Sequence, residues 1–378
     1  MSQTIHDFAI IGAGMAGASL AAELAPYANV LVLEAEDQPG YHSTGRSAAF
    51  WEECYGGPGV VPLTLASGPY LREHDLLRRR GALYVGRSED QAAMDAFVRR
   101  FDGTGVTIER LARDGLVERV PRIRQAWCDA IWEPACADID VAGLHQHYLK
   151  ALRLAGAQLV CRALVSRFER EDGNWRITTE RGETYRAARL VNAAGAWADT
   201  IARLAGAEPL GIDPKRRTVA QLRVAPAAPD DLPLVLDING GFYFKSDNGR
   251  LWLSPHDEIP SEPCDAAPEE LDVALAIERF EKVTDWRIEA VERRWAGLRS
   301  FAPDRLPVYG EDPVVPGFIW FAGQGGFGIQ TAPAAARLGA QLMLGQSRDA
   351  MTAKIVPSAY APQRFKDVNS GALQQATL

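Results

Sequence analysis

Ile10-Ile11-Gly12-Ala13-Gly14-Met15-Ala16-Gly17 is the stretch from which the architecture follows. Phe8 to Ile11, a short apolar run, has the composition of a buried strand. It passes directly into Gly12-x-Gly14-x-x-Gly17 and then into the helix-forming Ala18 to Ala25. A second apolar run, Val30 to Leu33, ends on Glu34, seventeen residues beyond Gly17. Strand, glycine turn, helix, strand and acid stand in the order that a dinucleotide site requires. Gly12 permits the tight turn, Gly14 lets backbone N–H groups approach a pyrophosphate, and Gly17 lets helix and strand pack closely. The helix N-terminus faces the anion, and Glu34 is placed to accept hydrogen bonds from a ribose. An apolar start also fits a signal peptide or a membrane span. Three glycines, Ser19, Glu23, the missing basic leader and the short length argue against both.

The 378 residues hold enough chain for two to three domains. With 47% hydrophobic and 24% charged residues the composition is that of an ordinary globular protein. The net charge is −8, and the basic triplets Arg78-Arg79-Arg80 and Lys215-Arg216-Arg217 are isolated, so no nucleic-acid partner is expected. Five cysteines, none spaced as CxxC, imply a reducing compartment without a zinc site or disulfide framework. A cytoplasmic location is therefore expected, and no later stretch reads as a transmembrane segment. His145 and His147 are two apart on a helix and do not share a face, so no metal is expected. Neither a Ser–His–Asp order nor a GxSxG elbow is present.

Strand–glycine–helix units recur near residues 12, 195 and 325. The predicted fold is α/β in the α+β two-domain sense: a Rossmann-like domain built from discontinuous segments, with a β-rich substrate domain inserted. The nucleotide domain is assigned to residues 1–80, 138–214 and 300–360, the substrate domain to 81–137 and 215–299, and a peripheral tail to 361–378. A helix is predicted from about Arg46, another from Leu63 to Arg80, and a strand at Ala82 to Val85. Asp172-Gly173 predicts a hairpin turn between Ala163–Glu169 and Asn174–Thr179. Helices are also predicted at Ala142 to Leu154, Pro268 to Lys282 and Ala334 to Leu344.

A Rossmann start serves NAD or FAD alike. Five further segments are more specific: Tyr41-His42-Ser43-Thr44-Gly45-Arg46-Ser47-Ala48-Ala49, Asn192-Ala193-Ala194-Gly195-Ala196-Trp197, Pro214-Lys215-Arg216-Arg217, Trp295-Ala296-Gly297-Leu298-Arg299-Ser300-Phe301 and Gly325-Gly326-Phe327-Gly328-Ile329-Gln330-Thr331. Together, and in collinear order from about Asp7 to Leu344, they resemble the D-amino-acid oxidase-like family of flavoproteins. The bacterial D-arginine dehydrogenase-like branch is the nearest in pattern. The resemblance implies FAD as cofactor and a glycine oxidase-like fold. It places Ser43, Thr44, Arg46, Ser47 and Ala48 along the pyrophosphate and isoalloxazine, and Ala194, Gly195 and Trp197 in a second cofactor turn. Gly325, Gly326, Gly328, Ile329 and Gln330 would present N–H groups to the flavin N1–C2=O edge, where negative charge develops on reduction. No Cys or His stands where some relatives attach flavin, so noncovalent FAD is expected.

The implied reaction is oxidative deamination of a free amino acid, the Cα–H leaving as hydride to flavin N5. The electron acceptor stays open between oxygen, a quinone and another carrier. Such a site needs an anchor for the substrate carboxylate, and the planar fork of arginine suits it. Arg299 is the chosen anchor. Tyr243 matches the family tyrosine that helps hold the carboxylate, although aromatic runs in strands also belong to cores. Tyr55 closes the cavity from the other side, and Arg217 reads equally as a second cation or as part of a solvated cluster. No acid stands on Gly81-Ala82-Leu83-Tyr84, and Phe50 replaces a histidine-like side chain. D-arginine-preferring family members are expected to carry an acid on that strand, and both departures favour a neutral or apolar side chain on the substrate, which is expected to be a D-amino acid. Glu52 and Glu53, in the loop of Tyr55, keep basic, D-arginine-like substrates open. The same anchor would hold an N-substituted amino acid or a 2-hydroxy acid. A nicotinamide dehydrogenase and a non-enzymatic flavin-binding protein are remoter readings.

Overall fold

The structure, a computed structural model, describes residues 4–48 and 50–365. The strand Ile5–Ile11 lies between Val30–Leu33 and Thr184–Asn192, parallel to both. Gln158–Val160 adds to the far side of Val30–Leu33, and Phe318–Ala322 runs parallel to the end of Thr184–Asn192. Ile5–Ile11 and Val30–Leu33 read as nearly unbroken apolar runs because both their faces are covered. Phe8, Ile10, Val32, Val191 and Phe321 face the helices Met15–Leu24, Val141–Leu154 and Ala332–Leu344. Ala9, Ile11, Leu31, Leu190 and Trp320 face the helix Ala198–Leu204. An antiparallel hairpin, Val165–Glu171 with Asn174–Thr179, extends the sheet. Its turn residues Asp172 and Gly173 have φ of 51° and 79°, the geometry of a type I′ turn.

The second sheet runs in the order Gln324–Gly325, Arg287–Phe301, Asp213–Ala225, Arg250–Ser254, Tyr243–Asp247, Leu234–Asp237, Ala82–Arg87, Trp127–Glu133, Glu109–Ala112. Period-two alternation divides its faces. Leu83, Val85, Val235, Phe242 and Phe244 pack under the helix Glu270–Val283. Ala82, Tyr84, Leu234, Leu236 and Tyr243 point the other way. The short strand Gln324–Gly325 pairs with Ser300 and Phe301 directly after Phe318–Ala322 has left the first sheet, so the glycine loop joins the two. A three-stranded sheet, Phe50–Trp51 with Ala137–Ile139 and Leu77–Arg79, lies alongside.

Two expectations are corrected, and one strand is new. No helix begins at Arg46: the segment is a series of turns, with Gly45 N–H on the Gly40 carbonyl at 2.8 Å. Arg46 is tied elsewhere, its carbonyl accepting Trp295 Nε1–H at 3.0 Å and its guanidinium donating to Ala266 O at 2.7 Å. The helix expected to reach Arg80 is Val61–Glu73, because Asp75 turns left-handed at φ 55° and Leu77–Arg79 becomes a strand. The strand Trp127–Glu133 was not anticipated. Ala49 and residues 366–378 of the expected tail lie outside the described residues. Among the described residues, no helix is long and apolar enough to cross a membrane.

Candidate active site

A cavity of about 640 Å³ lies between the two sheets, within the range of cofactor and substrate sites. Its first end is the glycine turn. Gly12 has φ 100°, and a Cβ there would meet the Ala193 carbonyl oxygen at 2.6 Å, so only glycine fits. Gly14 exposes backbone to the cavity beside Thr44, whose hydroxyl accepts the Met15 N–H at 2.9 Å. Glu34 accepts Ala13 N–H at 2.8 Å and Glu36 N–H at 3.0 Å, which fixes its carboxylate at the cavity wall.

Every expected cofactor residue except Gly17 lines this cavity: Gly12, Gly14, Glu34, Ser43, Thr44, Arg46, Ser47, Ala48, Ala194, Gly195, Trp197, Gly325, Gly326, Gly328, Ile329 and Gln330. Gly17 sits behind it, against the Gly12 carbonyl, where a side chain would collide. Two of these residues are used in ways the sequence did not indicate. Arg46 pairs with Asp265 and stacks 5.1 Å from the Tyr41 ring. Gln330, 1% exposed, spends its amide on the Glu52 backbone, taking Glu52 N–H at 3.2 Å and donating to Glu52 O at 3.1 Å.

The other end of the cavity gathers Tyr55, Arg217, Tyr243 and Arg299. Arg299 donates from Nη1 to the Tyr55 hydroxyl at 3.2 Å and from Nη2 to Asp257 O at 3.0 Å and Glu258 Oε1 at 3.2 Å. Its Nε is buried with no hydrogen-bond partner. Arg217 donates to Asp257 O at 2.9 Å and His256 O at 3.3 Å, and its guanidinium lies 5.7 Å from the Tyr243 ring centre. Burial and the neighbouring Arg299 charge push the Arg217 pKa down. Two buried guanidiniums with one unfilled donor make a place for an anion. Tyr243 is 6% exposed, edge-on to Phe50 and His256 at 6.1 and 5.8 Å, and burial raises its pKa.

The segment His256–Glu258 was missed in the sequence. His256 takes φ 56° and sets Nδ1 3.1 Å from the Gly240 carbonyl, so Nδ1 carries the proton. Burial, with the charges of Arg217 and Arg299, pushes its pKa down to about 3 and keeps the ring neutral. Asp257 is fixed by Thr218 N–H at 2.8 Å and the Thr218 hydroxyl at 2.9 Å. Glu258 bridges Arg299 and Arg305, which holds its carboxyl below the usual range despite partial burial. The only sequence signal for these residues was the polar run His256-Asp257-Glu258 after the strand Arg250–Ser254. Among the described residues, no three His, Cys, Asp or Glu side chains gather as a metal site.

A parallel-sheet dinucleotide cradle that opens into an arginine-lined chamber under a second sheet defines a two-domain, cofactor-dependent oxidoreductase. The chain belongs to the FAD dependent oxidoreductase (DAO) family, whose model matches residues 7–342. It is 27% identical over 217 residues to L-2-hydroxyglutarate dehydrogenase of Escherichia coli, an alignment that covers 54% of this chain and only 51% of that protein. It is 32% identical over 193 residues to glycine oxidase of Pseudomonas aeruginosa, covering 49% of this chain and 48% of the relative. The fold matches L-proline dehydrogenase from P. horikoshii with a TM-score of 0.83 at 22% identity, over 97% of this chain and 99% of the other. FAD is the cofactor, and the cradle fits it: a bare glycine turn at a helix N-terminus for the pyrophosphate, a fixed carboxylate at the strand end, and the loop Gly325–Gln330 between sheets. Gly326 faces Tyr55 so closely that a Cβ would overlap its hydroxyl.

Proposed function

We propose that this protein oxidises a free α-amino acid of D configuration with a neutral or apolar side chain. The observation that carries the reading is Arg299, buried with an unpartnered Nε, beside Arg217 and Tyr55 in the same cavity as the dinucleotide cradle. FAD, when bound, supplies the two-electron acceptor for the hydride that leaves the substrate Cα.

The residues of the chain supply position. Arg299 and Arg217 take the substrate carboxylate, and Tyr55 and Tyr243 flank it with hydroxyls. Fixing that end sets where Cα lies, and orientation of this kind supplies most of the rate when no nucleophile is needed. His256, neutral in the wall, adds no charge to compete with the carboxylate. Phe50, Leu234 and Leu236 form an apolar wall, which supports a side chain without charge. The product is an imino acid, which water hydrolyses to the 2-oxo acid. A second reading, oxidation of an N-substituted amino acid or a 2-hydroxy acid, is favoured by the similarity to L-2-hydroxyglutarate dehydrogenase, since the anchor reads only a carboxylate.

The test is anaerobic mixing of the flavin-loaded protein with D-, L- and N-methyl amino acids and 2-hydroxy acids, followed by absorbance. Neutral D-amino acids are expected to bleach the flavin fastest, and readmitted air reports whether oxygen accepts the electrons. Bleaching by hydroxy acids alone, or by none of the panel, overturns the reading. Acid precipitation of the same sample should leave the flavin in the supernatant, as noncovalent binding requires.

A further inference from the structure

One wall of the cavity carries a carboxyl that the anion site does not use. Glu52 lines the cavity and is 3% exposed. Gln330 grips its backbone on both sides, which fixes where the side chain starts. Oε1 accepts the hydroxyl proton of Tyr84. Glu133, from the strand Trp127–Glu133, lies behind it and takes the N–H groups of Glu53 at 2.7 Å and Cys54 at 3.3 Å. Glu53 accepts Thr107 N–H at 3.3 Å and feels the charge of Arg72. Neither Glu53 nor Glu133 lines the cavity.

The groups around Glu52 are therefore Tyr84 and Glu133 from the sheet, Glu53 and Cys54 from its own segment, and Cys136 beyond the strand. Among the described residues, no ion pair joins Glu52, Glu53 or Glu133 to a cation. Burial, only partly offset by the Tyr84 hydroxyl, pushes Glu52 up to about 7. Burial and the Glu52 charge push Glu133 up to about 8.

Sheet order sets the distance between this carboxyl and the arginines. From the strand of Arg217 to the strand of Tyr84 there are four inter-strand steps, roughly 19 Å at about 4.8 Å each. The Arg217 guanidinium lies 5.7 Å from the Tyr243 ring, which meets Phe50 at 6.1 Å, while Glu52 is tied to Tyr84 and lines the same cavity as Leu236. What is left between Arg217 and Glu52 suits an amino acid with an extended side chain of several carbons. Its carboxylate would meet the arginines, and the tip of its side chain would meet Glu52.

We propose that Glu52 sets the side-chain selectivity of this cavity: as a carboxylate it pairs with a cationic side chain, and as a neutral acid it accepts an apolar one. The inference rests on reading the cavity as an amino-acid site. A buried carboxylate without a cation is costly, and a substrate that brings the cation relieves that cost. A neutral substrate gives no such return and is best received while the proton stays on.

The test compares D-lysine with D-norleucine on the flavin-loaded protein, anaerobically, from about pH 5.5 to about pH 8.5. The lysine side chain stays charged over this range, with a pKa near 10.4, and the α-ammonium is common to both substrates, so the ratio of their kcat/KM values isolates the cavity. In the wild-type protein the lysine-to-norleucine ratio is expected to rise about tenfold as pH climbs through about 7. In Glu52→Gln it should stay low and flat. In Tyr84→Phe, which lacks the hydroxyl that lowers the Glu52 pKa, the inflection should move to higher pH. A flat wild-type ratio, or a ratio in Glu52→Gln that still rises, overturns the inference. Should Glu52→Gln fail to fold, an unmoved inflection in Tyr84→Phe overturns it instead. If neither amino acid bleaches the flavin, the oxidation reading fails separately. Shifts of the flavin spectrum then give dissociation constants whose ratio is judged by the same rule, and binding of neither amino acid also overturns the inference.

Discussion

Arg299 keeps a charge almost out of reach of water, with Nη1 and Nη2 engaged and Nε–H lacking an acceptor. A buried donor without a partner costs about 1–3 kcal/mol, which a ligand carboxylate would restore. Arg299→Ala is therefore expected to lower kcat/KM by roughly 30- to 5,000-fold, the equivalent of losing one side of a buried charged pair at about 2–5 kcal/mol. Flavin content should be unchanged, since Arg299 stands at the far end of the cavity from Gly12. Steady-state kinetics beside the visible spectrum of each preparation checks both halves. Arg299 and Tyr243 were candidates from the sequence, Tyr243 against a competing core reading, and both line the cavity. His256, Asp257 and Glu258 were not. Their placement depends on a left-handed histidine and on Thr218 of a distant strand, and neither leaves a mark in local composition.

At the scale of elements, one ion cluster ties the small sheet to the large one. Asp138 accepts Arg80 Nε–H at 2.7 Å and Lys245 Nζ–H at 2.9 Å, and both cations are nearly buried. Asp138→Asn leaves two buried cations without their anion and should destabilise the fold by about 3–5 kcal/mol. Denaturant unfolding of the flavin-loaded protein measures this. Strands with short runs of apolar and aromatic residues, such as Ala82–Arg87 and Tyr243–Asp247, could be anticipated. Trp127–Glu133 could not, because Asp129 and the fully buried Glu133 break the apolar rhythm. The expected helix at Arg46 failed for a related reason. Small residues allow a helix there, but long-range bonds to Trp295 and Ala266 decide the backbone, and they lie over two hundred residues away.

Across the whole molecule, buried carboxyls tie stability to pH. Glu52 and Glu133 are raised from 4.5 to about 7 and about 8, so in this window the folded chain holds protons that the unfolded chain has released. Their contribution is intact below about pH 4.5 and is lost as pH rises through about 7 and 8. The flavin-loaded protein should thus melt lower at about pH 9 than at about pH 5, and Glu133→Gln should narrow that difference by a few degrees. Scanning calorimetry at the two pH values decides it, and an equal gap in both proteins removes Glu133 from the account.

The cofactor cradle draws on residues near 12, 44, 195 and 325, so its walls come from opposite ends of the chain. A ribosome completes the last wall about three hundred residues after the first, roughly 15–60 s later at ordinary elongation rates. Until then the glycine turn lacks the Gly325–Gln330 wall of the cavity, and a product that stops short of Gly325 is expected not to take up added flavin. The cavity that would receive FAD is therefore complete only once the residues from Gly325 onward have joined it.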